Sequence, residues 1–323
     1  MKGVFDMKGW LFQGTHIAPK LIEKEDPHAV PGEVVIDIKA AGLCHSDVGA
    51  LELESWMRFF KVPVIFGHEC AGEVVEVGEG VTNLKIGDRV GVVPQSPSNP
   101  FSIIGYTRDG GYATKCLVPA DQCVLLPENV SYVQGAAGTD AGATSYHALF
   151  GLGQAKAGMK VGIIGIGGLG QFAAQMAKIE GCTVFAADPS EEARELAEKI
   201  GCDKVYKDVR EMAEDAPELI VDFAGFDSTV AGAIDIAPMG GTIIIVGGGS
   251  DTSTIHINQI SPKELVIKGS RGNVFSDVAG VYEYFNTGKL TPNLYEIPFE
   301  EIGEGLERLK KGGIRGRLVA VID

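Results

Sequence analysis

The chain has 323 residues, enough for about two domains of roughly 100–200 residues each, and its 45% hydrophobic content is in the globular range. A net charge of −15 argues against nucleic-acid phosphates, which need Lys/Arg clusters, and against anionic membranes. No run approaches the ~18 apolar residues of a membrane span, the opening Met1-Lys2-Gly3-Val4-Phe5-Asp6 is too polar for a secretory leader, and six cysteines without a CxxC pair read as thiols, so the expected location is cytoplasmic.

In chain order, Met1-Lys2-Gly3 recurs at Met7-Lys8-Gly9, so residues 1–6 read as an extension. Residues 7 to about 140 read as β-rich. Val34–Ile38 is a short strand after the Pro31-Gly32 turn, and Glu73–Val77 alternates polar and apolar as a half-buried strand does. Arg89–Val93 follows a Gly87-Asp88 turn, 94–99 is loop by composition, and 112–126 returns to strand patterns. The character changes near 142. Apolar strands at 160–164, 183–187, 219–223 and 242–246 alternate with helical stretches such as 168–180 and 191–200, which predicts a parallel sheet covered on both faces. The last fifty residues are mixed and are expected to rejoin the first domain.

Two clusters carry chemistry. Cys44-His45-Ser46-Asp47 and Gly67-His68-Glu69 place a thiolate, an imidazole and carboxylates within a short stretch, and Cys and His are strong zinc ligands. A catalytic zinc needs three protein ligands and one open position, so a third ligand must come from elsewhere. The second cluster is Gly165-Ile166-Gly167-Gly168-Leu169-Gly170. This GxGxxG pattern follows a strand, opens a helix and begins a βαβ unit, the context of a dinucleotide site. Asp188 lies 18 residues after Gly170, near the expected ribose carboxylate at about 20. No basic residue follows it until Arg194, which favours NAD over NADP. A glycine turn with a helix-capping Asp188 is the bland alternative.

Further motifs fall in one order with these. Gly42-Leu43-Cys44-His45-Ser46-Asp47 and Gly67-His68-Glu69-x-x-Gly72 are followed by Gly78 and Val81, then Gly87-Asp88-Arg89-Val90, Gly110-Gly111-Tyr112-Ala113 and the GxGxxG. Over residues 7–323 the chain resembles the zinc-containing medium-chain dehydrogenase/reductase (alcohol dehydrogenase) family. The resemblance implies an α/β protein. A GroES-like β-rich catalytic domain (1–141 and 272–323) would hold an inserted Rossmann NAD-binding domain, a doubly wound parallel sheet (142–271), with the active site in the cleft between them. It also implies a homodimer or homotetramer.

By the same resemblance Cys44 and His68 match the first two zinc ligands. Asp140 stands where many members have Cys and some bacterial secondary-alcohol dehydrogenases have Asp. One thiolate, one carboxylate and a neutral imidazole balance Zn²⁺, although Asp140 could instead cap the following helix. Glu69 resembles a transient ligand behind the metal, and Asp47 a group orienting His68. Ser46 would take the substrate's hydroxyl proton and pass it to the nicotinamide ribose. His45 matches a pyrophosphate contact, Thr144 and Leu169 match nicotinamide contacts, and Arg271 and Arg315 or Arg317 are candidate cofactor contacts. Residues 94–109 lack the four cysteines of a structural zinc, so one catalytic zinc alone is expected. Gly49 stands where several members end a proton relay in His, so the relay implied by the resemblance ends in water or in another group such as His45. Trp56, Met57, Phe59 and Phe60 fall where the family builds its substrate pocket, while core packing explains Phe59 and Phe60 equally well. Cys70 is expected in strand packing and His147 as a plain helix residue. The implied function is hydride transfer between NAD(H) and a secondary or bulky alcohol or carbonyl. Alternatives are reduction of an activated C=C or C=N bond on the same fold, or an NAD-binding protein without catalysis.

Overall fold

A computed structural model describes residues 7–322; the extension expected over residues 1–6 lies outside the described residues. The first half runs β1 (Met7–Phe12), β2 (Lys20–Lys24), β3 (Glu33–Gly42), α1 (His45–Glu52), β4 (Val64–Ile65), β5 (Cys70–Val77), β6 (Arg89–Val92), β7 (Lys115–Pro119), β8 (Cys123–Leu125), α2 (Tyr132–Ala137) and α3 (Ala143–Tyr146). There follow β9 (Lys160–Ile164), α4 (Gly170–Ile179), β10 (Thr183–Ala187), α5 (Glu191–Ile200), β11 (Lys204–Tyr206), β12 (Leu219–Asp222), α6 (Asp227–Ile236) and β13 (Thr242–Ile245). The chain closes with α7 (Ile257–Ile260), β14 (Val266–Gly269), α8 (Phe275–Asn286), β15 (Leu294–Pro298), α9 (Ile302–Lys311) and β16 (Arg317–Val321). Among the described residues, no helix is long and apolar enough to cross a membrane.

The chain divides into two compact units. One takes the residues up to Asp140, Val274–Asn286 and those from Leu294 onward; the other takes Ala141–Asn273 and Thr287–Asn293. The first unit is β-rich. Its main sheet runs β15-β16-β3-β5-β6-β8, with β7 also on β3, and β2-β1-β4 form a smaller sheet. β3 is its spine. One edge pairs antiparallel with β5 from Val34 to Ala41, while the other is shared between β7 (residues 33–37) and β16 (residues 40–42). Register shifts after Val35 and Ile38 bend the strand, as bulges do. Val34, Ile36, Ile38, Ala41, Val74, Val90, Val92 and Leu318 are buried into one core with Leu306 and Leu309 of α9.

This register brings distant residues together. Ala41 pairs with Cys70 and Gly42 with Val319. The backbone N–H of Gly42 donates to the Glu69 carbonyl at 2.8 Å, and that of Leu43 to the Leu318 carbonyl at 2.9 Å. Cys44, Glu69 and Arg317 therefore meet at one end of three neighbouring strands although they lie far apart in sequence. Gly67 makes the turn before His68 at φ +96°, and a Cβ there would lie 2.5 Å from the Tyr112 backbone nitrogen, so only glycine fits.

The loop 94–109 is held without thiolates. Ser96 Oγ and the Ser98 N–H donate to the Asp121 carboxylate at 3.0 and 3.1 Å. The Arg108 guanidinium grips Glu33 with two nitrogens at 3.0 and 2.6 Å and donates to the Leu117 carbonyl, the strong bidentate arrangement.

In the second unit the parallel sheet has the order β11-β10-β9-β12-β13-β14. Numbered within the unit this is 3-2-1-4-5-6, the Rossmann order, whose reversal point lies beside its first strand, here β9. β9, β10 and β12 are almost wholly apolar and buried, as a sheet covered on both faces requires. α4 opens at Gly170. A Cβ there would lie 1.8 Å from the Gly165 carbonyl oxygen, so the close packing of helix start on loop demands glycine. Gly170→Ala should therefore lower stability by about 1–3 kcal/mol and weaken dinucleotide binding, read as a fall in melting temperature and in cofactor affinity by fluorescence titration.

Candidate metal centre and nucleotide site

Cys44 caps the N-terminus of α1, His68 and Glu69 immediately precede β5, and Asp140 sits in the π-helical segment Gly138–Gly142. Asp140 is thus inside a helical stretch, not at the capping position that was its alternative reading. π-turns of this kind are rare and frequent at functional sites. The Cys44 thiol, His68 imidazole and Asp140 carboxylate each present a ligand atom within 4.8 Å of the others. Cys44 Sγ lies 3.5 Å from Asp140 Oδ2, and His68 Nε2 lies 3.6 Å from the same oxygen. Bonds of about 2.0–2.3 Å to a tetrahedral zinc imply ligand–ligand edges of about 3.3–3.8 Å. The donor set and both spacings fit that ion. Behind them Glu69 and Arg317 cancel each other and the thiolate and Asp140 offset a divalent cation, which leaves the Asp47 carboxylate as one further negative charge beside His68.

The surroundings prepare His68. Its Nδ1 faces Asp47 Oδ1 at 3.3 Å, and neither atom has a hydrogen bond of good geometry. The other Asp47 oxygen accepts the Tyr112 hydroxyl at 2.6 Å and the Cys44 N–H at 3.3 Å, and Asp47 and Tyr112 are fully buried. Burial works against a charged imidazole, yet Tyr106, Asp47 and Asp140 more than offset it and hold His68 well above its ordinary pKa. The pocket's field is one that draws a cation. Burial likewise pushes Asp140 up, but the His68 hydrogen bond and charge, with Arg317, bring it below the usual carboxylate range. Glu69 is raised to about 7, chiefly by burial, with Arg317 opposing.

Ser46 Oγ lies 3.4 Å from His68 Nε2. Tyr106, from the 94–109 loop, stands edge-on to the His68 ring at 5.2 Å, stacks on Phe60 at 4.2 Å and interacts with the Ser46 side chain. Phe60 also packs on Phe12 and Phe66, and Met57 packs against the core. Phe59 is more exposed. Trp56 covers Gly49, where an added Cβ would lie 2.9 Å from the indole, so no side chain extends from position 49. Cys70 is buried in the strand packing, and His147 begins the π-helical segment His147–Leu152.

In the second unit Gly165 turns at φ +85° and its N–H donates to the Ala187 carbonyl at 2.9 Å, tying the glycine loop to β10. Gly167, Gly168 and Leu169 complete the turn into α4, and the Leu169 carbonyl accepts the Ser145 hydroxyl at 2.9 Å. Asp188 ends β10. Its two oxygens accept the N–H groups of Ile166 and Ser190, both at 2.9 Å, which fixes the carboxylate beside the loop. Arg194 folds back and donates to the Asp188 and Pro189 carbonyls at 2.9 and 2.8 Å. Thr144 is buried and its hydroxyl lies 3.4 Å from Asn273 Nδ2.

The alcohol dehydrogenase GroES-like domain family matches residues 30–128, and the zinc-binding dehydrogenase family matches residues 168–286. An alcohol dehydrogenase of Geobacillus stearothermophilus is 36% identical over 330 residues, covering 94% of this chain and 95% of its own. The chain belongs to the zinc-containing alcohol dehydrogenase family. Among solved structures, the alcohol dehydrogenase of the archaeon Aeropyrum pernix aligns with a TM-score of 0.89 at 26% identity, covering 98% of this chain and all of the other. Acetophenone reductase from Geotrichum candidum, in complex with NAD, aligns with a TM-score of 0.87 at 29% identity over 100% of this chain and 99% of the other. The family's GroES-like and Rossmann folds are those seen here, and its members make this chain an oxidoreductase of the alcohol dehydrogenase type.

Against that background, one position, Arg317, differs in setting from its expectation as a cofactor contact. Arg317 is 3% exposed and committed to carboxylates of its own unit: its Nε donates to Glu69 Oε1 at 3.2 Å, and its Nη2 donates to Glu69 Oε2 and, at 3.0 Å, to Asp140 Oδ2. It therefore belongs to the metal pocket. His45 and Arg271 lie on the surfaces of their units. Tyr112 and Tyr106 went unread in the sequence as site residues. The double glycine before Tyr112 was a usable signal, because it lets that ring lie against Gly67; Tyr106 sits in an aperiodic loop and offered none. Tyr112→Phe should cost about 1.5–3 kcal/mol, as loss of a buried hydrogen bond to a charged group does, and should weaken zinc affinity about 10–100-fold, measured by competition with a chromophoric chelator.

Proposed function

We propose that this chain is a zinc- and NAD(H)-dependent dehydrogenase that moves a hydride between the cofactor and a secondary or bulky alcohol or its carbonyl. The observation that carries the reading is the convergence of Cys44, His68 and Asp140 at tetrahedral spacing. In this reading those three hold the ion, Asp47 and Tyr112 orient His68, and Glu69 is the residue poised behind it. In this reading the catalytic domain is residues 1–141 and 272–323 and the nucleotide domain 142–271, although within the second range Thr287–Asn293 clusters with the nucleotide unit. The chemistry supplied by the two groups when bound is polarisation of the substrate oxygen and hydride exchange. Ser46 takes or returns the substrate proton. Its Oγ lies beside the ligand atom of His68, and it also interacts with the Tyr106 side chain.

The glycine turn Gly165–Gly170 offers backbone N–H groups and a helix start to the pyrophosphate. Asp188 receives the adenosine ribose and disfavours a 2′-phosphate, while the Arg194 guanidinium stays engaged with backbone carbonyls. His45, Thr144, Leu169 and Arg271 are the further cofactor contacts in this reading. Support for a bulky substrate comes from the stacked pair Phe60 and Tyr106 beside His68 and from the likeness to acetophenone reductase.

Metal analysis combined with a substrate panel tests the reading. Expected are about one zinc per chain, turnover of secondary aryl and alkyl alcohols that is lost on chelation and restored by zinc, and a preference for NAD⁺ over NADP⁺. Undiminished turnover without metal would overturn the zinc assignment. Reduction of activated C=C or C=N bonds with no turnover of alcohols would replace the substrate class.

Self-association is the second part of the proposal. β14 is the edge of the parallel sheet, with Val266 and Ile267 exposed and Ile257 71% exposed nearby in sequence. An apolar edge of this kind pairs readily with a second copy about a twofold axis. Sedimentation velocity should show a dimer or tetramer for the native chain and a smaller species for Ile267→Lys; a monomeric native chain would exclude it.

A further inference from the structure

The third ligand position holds a carboxylate, and the structure shows what comes with it. Asp140 Oδ2 is approached from three sides, by Cys44 Sγ at 3.5 Å, His68 Nε2 at 3.6 Å and Arg317 Nη2 at 3.0 Å. The same Arg317 nitrogen donates to Glu69 Oε2, and Arg317 Nε donates to Glu69 Oε1 at 3.2 Å. Glu69 and Arg317 are buried at 0% and 3% exposure, so each depends on the other for its charge. An aspartate can rotate and offer a metal one oxygen or two, whereas a cysteine offers a single sulfur atom. A guanidinium fork is planar and rigid, and it binds carboxylates with defined geometry.

We infer that Arg317 is a positioning residue for the metal site. It clamps Asp140 so that one oxygen, Oδ2, is presented between the thiolate and the imidazole, and it holds Glu69 back from that group of ligands. The inference rests on the zinc reading above and extends it to a residue outside the ligand set. The clamp matters because the third ligand is a carboxylate. With a cysteine at 140 there would be no second oxygen to restrain, and metal retention would depend little on position 317.

The coupling is measurable without turnover. Glu69→Gln combined with Arg317→Met removes one negative and one positive charge together, so the net charge of the pocket is unchanged. Zinc affinity by chelator competition, and the visible spectrum of the cobalt-substituted protein, are compared for the native chain, this double variant, Asp140→Cys, and the triple combination. The double variant should bind zinc about 10–100-fold more weakly than the native chain, the usual effect of removing a group that orients a ligand, with a changed cobalt spectrum. In the Asp140→Cys background the same two substitutions should change affinity less than threefold. Equal losses in both backgrounds, or no loss in either, would overturn the clamp. Arg317→Lys, which keeps the charge and loses the fork, should show an intermediate loss; native affinity in that variant would also overturn it. A native chain that binds neither zinc nor cobalt stoichiometrically would instead defeat the metal reading itself.

Discussion

Three carboxylates buried in one small volume are the constraint on which the catalytic unit turns. Asp47 and Glu69 are fully buried and Asp140 nearly so, and a buried anion is tolerated only when paired and hydrogen-bonded. Each finds a different solution. Asp47 takes a phenol, a backbone N–H and the face of His68. Glu69 takes a guanidinium, and Asp140 takes what remains of that guanidinium while facing the thiol and imidazole. The partners come from α1, the Gly67 turn, the Gly110–Tyr112 segment and β16, so the sheet register that unites them is as much a part of the site as the ligands.

Much of this was legible in the sequence, for identifiable reasons. The buried parallel strands announced themselves as apolar runs bounded by glycine, and the GxGxxG turn carried its strand-before, helix-after context with it. Cys44 and His68 were readable because short motifs flank them in a fixed order. Arg317 was not. An arginine near a chain end looks solvated, and only the pairing of Gly42 with Val319 shows that it enters the pocket beside Glu69. Tyr106 was hidden for a related reason: its loop has no period, and its stacking on Phe60 is a fact of tertiary packing.

The 94–109 loop shows how the fold proceeds without cysteines in this lobe. A bidentate Arg108–Glu33 pair fastens it to β3, and the Asp121 carboxylate gathers the Ser96 hydroxyl and Ser98 N–H. The loop is thereby anchored at both ends while Tyr106, between them, reaches the histidine ring. At Gly49 the opposite has happened. The indole of Trp56 fills the place of a side chain there.

The widened helical turn at Gly138–Gly142 has an evolutionary corollary. A π turn accommodates one residue more than an α turn. Deleting one residue there would let the helix relax to regular winding with its flanks close to their present places, but the residues within the turn would change their aim by about 100°. Asp140 could not keep both its neighbours upstream and its aim at Cys44 and His68. Length in this segment is therefore under as tight a constraint as identity, and drift by single-residue insertion or loss should be rarer here than in the surface loops.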